Sequence, residues 1–204
     1  MSLSRFVLAG LLLVPYCARP QAIDHSLGYH KIASTSYVQL DYENDFFTGT
    51  DKDYTQGICV TFVDPLVKRF LLCKLLLHPA HYQNRYGIAL EHDGYTPSDI
   101  SNPGILRGDR PFAACLFLKT FVTSTDTVHK QSFSSSISTG VIGAAAGGME
   151  MQTAIHRWLH DIMPHGWPNQ VRNDAVINYE AGYEKQALTI SRYLSANVSV
   201  RARA

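Results

Sequence analysis

From residue 37 onward, apolar and polar side chains alternate. Val38, Leu40 and Tyr42 are separated by Gln39, Asp41 and Glu43, and Ile58, Val60 and Phe62 alternate with Gly57, Cys59 and Thr61. A two-residue period is what a strand with two unlike faces produces. Residues 86–93, 113–123, 131–141, 175–184 and 187–204 read the same way, so the pattern predicts about seven strands. The first, third and fifth connections (46–53, 94–112 and 142–174) are long, whereas the fourth and sixth (124–130 and 185–186) read as short turns. Consecutive antiparallel strands put alternate connections at opposite ends. Long loops at one end and short turns at the other is the asymmetry of outer-membrane barrels. A soluble sandwich shares the alternation, so periodicity alone leaves both architectures open. The second connection, 64–85, breaks the rule by being long. Its run 66–77 mixes leucines with Lys68, Arg69 and Lys74, and suits either an amphipathic segment at a membrane surface or a plain packed helix.

The fifth connection predicts one helix over 148–163. Met151, Ile155, Trp158, Leu159 and Ile162 recur at three- and four-residue spacing and form one apolar face. Gly147 and Gly148 precede it and Pro164 ends it. Gln152, His156 and His160 stack along a neighbouring stripe.

Composition narrows the class. The chain has 204 residues, 46% hydrophobic and 17% charged, enough for one domain with a large apolar surface and unlike a disordered chain. Residues 1–22 have the layout of a secretory signal: Arg5, an apolar run to Val14, then small residues to Ala22. That leaves 23–204 as the expected mature domain. The net charge of +1 becomes −1 without Arg5 and Arg19, so no bulk field or basic run points to nucleic acid. Cys59, Cys73 and Cys115 sit in apolar settings and read as packed thiols rather than a disulfide framework.

Three polar clusters fall in or beside the long connections. Glu43-Asn44-Asp45, with Thr50 to Thr55 across the first hairpin, offers oxygen ligands suited to a hard cation, and equally suits a turn-rich loop. Asp109 and Arg110 are placed to brace the third connection as an ion pair. On the helix, His156 and His160 are four apart, but no glutamate follows the first as a zinc protease requires. A glycine-x-serine-x-glycine elbow is also missing. What remains is a histidine able to activate water and a carboxylate loop able to hold a cation.

Several strings occur in order between about residue 36 and residue 184: Tyr42-Glu43-Asn44-Asp45-Phe46-Phe47 with Asp53-Tyr54-Thr55-Gln56-Gly57; Tyr95-Thr96-Pro97-Ser98-Asp99-Ile100; Gly108-Asp109-Arg110-Pro111-Phe112-Ala113; Gly147-Gly148-Met149-Glu150-Met151-Gln152 with His156-Arg157; and Gly166-Trp167 with Asn169-Gln170. Together they resemble the outer-membrane lipid A deacylase family. The resemblance implies an all-β antiparallel barrel of roughly twelve strands in the bacterial outer membrane, with one helix in an extracellular loop. It implies calcium (Ca2+) as cofactor, lipid A of lipopolysaccharide as substrate, and hydrolysis of a 3-O-linked acyl ester. Carried onto this chain, it makes His156 the general base and Gln152 a supporting polar contact. Asn44 and Asp45 become the calcium and oxyanion site, and Thr55 a polar neighbour.

Three departures stand out. Asp161 is the carboxylate nearest to where the family carries an acidic partner for its histidine, His92 stands in place of a glutamine, and the chain stops in what reads as the seventh strand. The last of these makes a fragment of a longer barrel the expectation. A non-enzymatic pore or structural barrel whose loop helix plugs or caps it is the competing reading, and a soluble periplasmic β-protein a third.

Overall fold

A computed structural model describes residues 34–44, 56–191 and 194–204. Its strands are β1 (Tyr37–Asn44), β2 (Gln56–Val63), β3 (Gln83–Tyr95), β4 (Ala113–Asp126), β5 (Gln131–Ile142), β6 (Asp174–Ser191) and β7 (Leu194–Arg203). They form one sheet in chain order, every neighbouring pair antiparallel.

The register sorts the side chains. Gln39, Thr61, Ala89, Lys119, Ser138 and Asn178 form one transverse row, and Leu40, Val60, Leu90, Leu118, Thr139 and Ile177 the next. Adjacent rows point to opposite faces. Leu40, Val60, Leu90, Leu118 and Ile177 are exposed, while Thr61 is fully buried and Gln39 and Lys119 are half-sheltered. A soluble sandwich hides its apolar face. Here the polar face is sheltered and the apolar face is open, the distribution a barrel wall needs in lipid. On the sheltered face Glu180 binds both Arg203 (2.7 and 2.9 Å) and Arg201 (3.1 Å). No described helix is long and apolar enough to cross a membrane, so among the described residues any crossing is by strands.

Three expectations need correction. The last hairpin turns after Ser191, not at 185–186, because polar Lys185 and Gln186 are strand residues opposite Val198 and Asn197, with register shifts just beyond them. In a strand that already has one polar face, a polar pair imitates a turn. Of the two readings of the second connection, the packed helix is overturned: the segment is two 3₁₀ turns, Pro65–Arg69 and Leu71–Leu75. The helix of the fifth connection, α1 (Gly148–Leu159), stops before 163. The three cysteines Cys59, Cys73 and Cys115 are buried free thiols, as their apolar settings suggested. Residues 1–22, read above as a secretory signal, lie outside the described residues.

Candidate active site

The fifth connection crosses from β5 to α1 through a 3₁₀ turn, Ala144–Ala146, and Gly147 in the left-handed region (φ 76°). A Cβ on Gly148 would stand 2.4 Å from the Ala114 Cβ and 2.6 Å from the Trp167 ring, so only glycine allows the helix this close to β4. Ala114 alternates in step with Leu116 and Leu118, which places α1 over the open, apolar face of the wall. The helix therefore does not lie in the lumen as a plug. Ile100, Phe112, Ala114, Ala146 and Trp167 make a buried cluster at its foot, and Leu116 and Val141 pack against it.

The buried side of α1 is its polar stripe. Gln152 is 1% and His156 7% exposed, whereas Trp158 is 79% exposed and Leu159, Ile162 and Met149 are also open. In water an amphipathic helix would turn the other way. Beside a lipid-facing wall the apolar side chains have an apolar solvent, and the polar ones are enclosed between helix and sheet.

The helix ends in a tight reversal. His160 is left-handed (φ 57°, ψ 39°), its amide donates to Arg157 O, and Asp161 N donates to His156 O at 2.9 Å. This double closure is the Schellman arrangement. It brings the Ile162 carbonyl to 2.6 Å from His156 Nδ1. A carbonyl only accepts, so Nδ1 is the nitrogen that donates to it. His160 does not continue the stripe of Gln152 and His156, because it stands past the end of the helix in the left-handed region, where it is exposed. Asp161 is not seen at the imidazole either: its Oδ1 accepts from Ile162 N at 2.7 Å, fixing the segment whose next carbonyl holds the ring.

Gln152 is held from the other side. Its Oε1 accepts from Trp167 Nε1 at 2.7 Å, and the indole is buried against Phe112 with ring centres 4.9 Å apart. The third connection supplies this support. Asp109 accepts from the Ser98 hydroxyl (2.6 Å), the Ser98 amide (2.9 Å) and the Arg110 amide (2.7 Å). The Arg110 guanidinium sits 5.5 Å over the Tyr95 ring. Bracing is thus what Asp109 and Arg110 do, through hydrogen bonds and a cation–π contact. His92, buried on β3, donates from Nε2 to Ala146 O at 3.0 Å, while its Nδ1 has no partner among the described residues. Sequence reasoning left Trp167, the Ile162 carbonyl and this role of His92 unassigned. The available signal was the recurrence of glycine, at Gly148 and Gly166, wherever backbone must approach the indole or Phe112.

Asp45 and Thr55 lie outside the described residues, as does the side chain of Asn44. The backbone of Asn44 ends β1 opposite Gln56, Gln56 pairs with Gly94, and Gly94 with Ala114. One row therefore links the end of β1 to the foot of α1 across three strand spacings, about 14 Å at ~4.8 Å each. Gln56 is fully buried in that row, filling the space beside Gly94. Among the described residues, no three His, Cys, Asp or Glu side chains cluster as a metal site. The oxygen donors of an Asn-Asp pair are those calcium takes, so the residue types at 44 and 45 fit that cation.

A family model described as outer membrane protein LpxR matches residues 6–204. The chain belongs to the LpxR family of outer-membrane proteins. A solved structure, LpxR from Salmonella typhimurium, superimposes with a TM-score of 0.63 at 20% sequence identity, covering 82% of this chain and 58% of that one. This chain thus spans less than two thirds of the Salmonella protein. The likeness supports the barrel fold, of which the seven-stranded sheet is a part. No curated protein sequence matches the chain.

Proposed function

We propose that the LpxR-family site in this chain hydrolyses a 3-O-linked acyl ester of lipid A, with His156 as general base. The observation that carries the reading is the inverted burial of α1: Gln152 and His156 are enclosed against a lipid-facing wall at the long-loop end of the sheet. Burying polar groups is costly unless they are hydrogen-bonded, and here each has a partner built for it. An acyl chain in the same leaflet would lie along the exposed Trp158, Leu159 and Ile162, with its ester at the polar stripe.

In this scheme Nε2 of His156 takes a proton from water, and the water oxygen bonds to the acyl carbonyl carbon. The carbon–oxygen ester bond then breaks. The proton passes from Nε2 to the departing 3-oxygen, and the acyl chain leaves as a carboxylic acid. The Ile162 carbonyl accepts from Nδ1 and holds the ring in place throughout. Gln152, fixed by Trp167, offers a polar contact one turn away. Calcium bound through Asn44 and Asp45, with Thr55 nearby, would supply positive charge for the oxyanion.

The test is the mass spectrum of lipid A from cells making the protein. We expect loss of one acyl group, its disappearance with His156→Ala, and its disappearance with a calcium chelator in isolated membranes. Acyl release that survives His156→Ala removes the mechanism, and release indifferent to chelation removes the cation.

A further inference from the structure

The segment between β2 and β3 lies at the other end of the sheet, where the turns are short. It too runs over the outside of the wall. Val67, Cys73 and Leu76 are buried against Tyr86 of β3, Val122 of β4 and Ile137 of β5, and Ile88 and Tyr179 pack against this cluster. Ile88, Thr120, Ile137 and Tyr179 form one row, in step with exposed Leu90 and Leu118 on the apolar face. Polar contacts fasten the far end: Leu77 N donates to the Tyr179 hydroxyl (3.1 Å), and the Ser135 hydroxyl donates to Leu77 O (2.8 Å). The segment is thus a strap across four strands, wrapped around the surface that faces lipid.

Its outward side is as apolar as its inward side. Leu66, Phe70, Leu71, Leu75 and Leu77 are all exposed, Leu71 at 73%. Lys68, Arg69 and Lys74 are exposed among them, and residues 65–82 contain no Asp or Glu. Large leucines beside cations with no acidic residue suit a bilayer boundary, where apolar side chains enter the acyl region and cations meet phosphates. We propose that the strap binds anionic phospholipid of the leaflet at the short-turn end, opposite the candidate active site. It clamps the barrel at a defined depth. The occupant follows from continuity with the lipid-facing wall and from charge.

Native mass spectrometry of the protein in dodecyl maltoside, supplied with phosphatidylglycerol or phosphatidylcholine, tests the cations. We expect at least a fivefold preference for retained phosphatidylglycerol. It should be lost in the Lys68→Gln/Arg69→Gln/Lys74→Gln variant, while the heat-dependent gel shift of the folded barrel is unchanged. Equal retention of both lipids, or an unchanged preference in the variant, overturns the proposal. Leu71→Trp tests the leucines in vesicles of phosphatidylethanolamine and phosphatidylglycerol brominated on the acyl chain near the headgroup. Fluorescence above the Trp158 and Trp167 baseline should be quenched at least twofold. Unquenched emission, or a Leu71-dependent dimer that retains no lipid, overturns it. Neither readout passes through His156.

Discussion

Two stretches of chain leave the sheet and fold back over its lipid-facing side, and they bury opposite things. At one end the strap buries Val67, Cys73 and Leu76 on an apolar wall, an arrangement that needs no explanation beyond packing. At the other, α1 buries Gln152 and His156 and leaves Trp158 to the outside. The wall is alike in both places. Only the second inverts the arrangement that a globular core would favour, and it does so with a hydrogen-bond partner for each side chain: the Trp167 indole for Gln152 and the Ile162 carbonyl for His156. The contrast separates two kinds of burial on one wall: apolar burial that attaches a segment, and satisfied polar burial that suits the chemistry proposed above.

The contrast can be broken by substitution. The largest effect is expected at the indole. Trp167→Phe keeps a ring on Phe112 but removes the donor to Gln152 and part of a buried side chain, costing about 1 to 3 kcal/mol and at least tenfold in acyl release. Thermal unfolding in detergent and the lipid A assay read the two separately. Val67→Ala in the strap should cost a similar ~1 to 3 kcal/mol of stability and leave the rate of acyl release within twofold. A strap variant that lost activity at unchanged stability would erase the distinction.

His160→Gly is expected to act in the other direction. A non-glycine residue in the left-handed region is strained, so glycine there should stabilise the end of α1 by about 0.4 to 1 kcal/mol. Because the reversal carries the Ile162 carbonyl to His156, activity should be retained, and a large loss would give His160 a role beyond closure.

The smallest effect concerns pH. The Leu66 amide (2.8 Å) and the Ser36 hydroxyl (2.8 Å) hold the Asp64 carboxyl below its ordinary 3.8. A lowered folded-state pKa adds stability that is present above 3.8 and lost as pH falls through the folded value. Asp64→Asn should therefore flatten the acid side of the stability profile below about pH 4 and change nothing at pH 7. Identical acid profiles for both proteins would remove the cap from the account.

Much of this was legible in the chain. Alternation located the seven described strands, because a two-residue period survives whichever face is buried. Helical spacing found α1, and the ordered strings around Asn44, Tyr95, Gly108, Gly148 and Trp167 pointed to the family whose model matches. The misreadings share a cause. Lys185 and Gln186 looked like a turn, and the strap fitted a packed helix as one of its two readings, because residue type reports polarity, and in a barrel polarity tracks the surrounding solvent more than the local fold.

By itself, then, the sequence determined the number and order of the described strands, the place of α1 and the residue types that the proposed hydrolysis calls on, since these follow from local spacing and side-chain chemistry. Tertiary structure alone decided which face is which. Whether Gln39 or Leu40 is sheltered, whether α1 presents His156 or Trp158 to the wall, and that Ile162 rather than Asp161 meets the imidazole all depend on contacts between distant segments. A periodic pattern has no sign of its own; the sign comes from the solvent on each side of the sheet, which no run of neighbouring residues can encode.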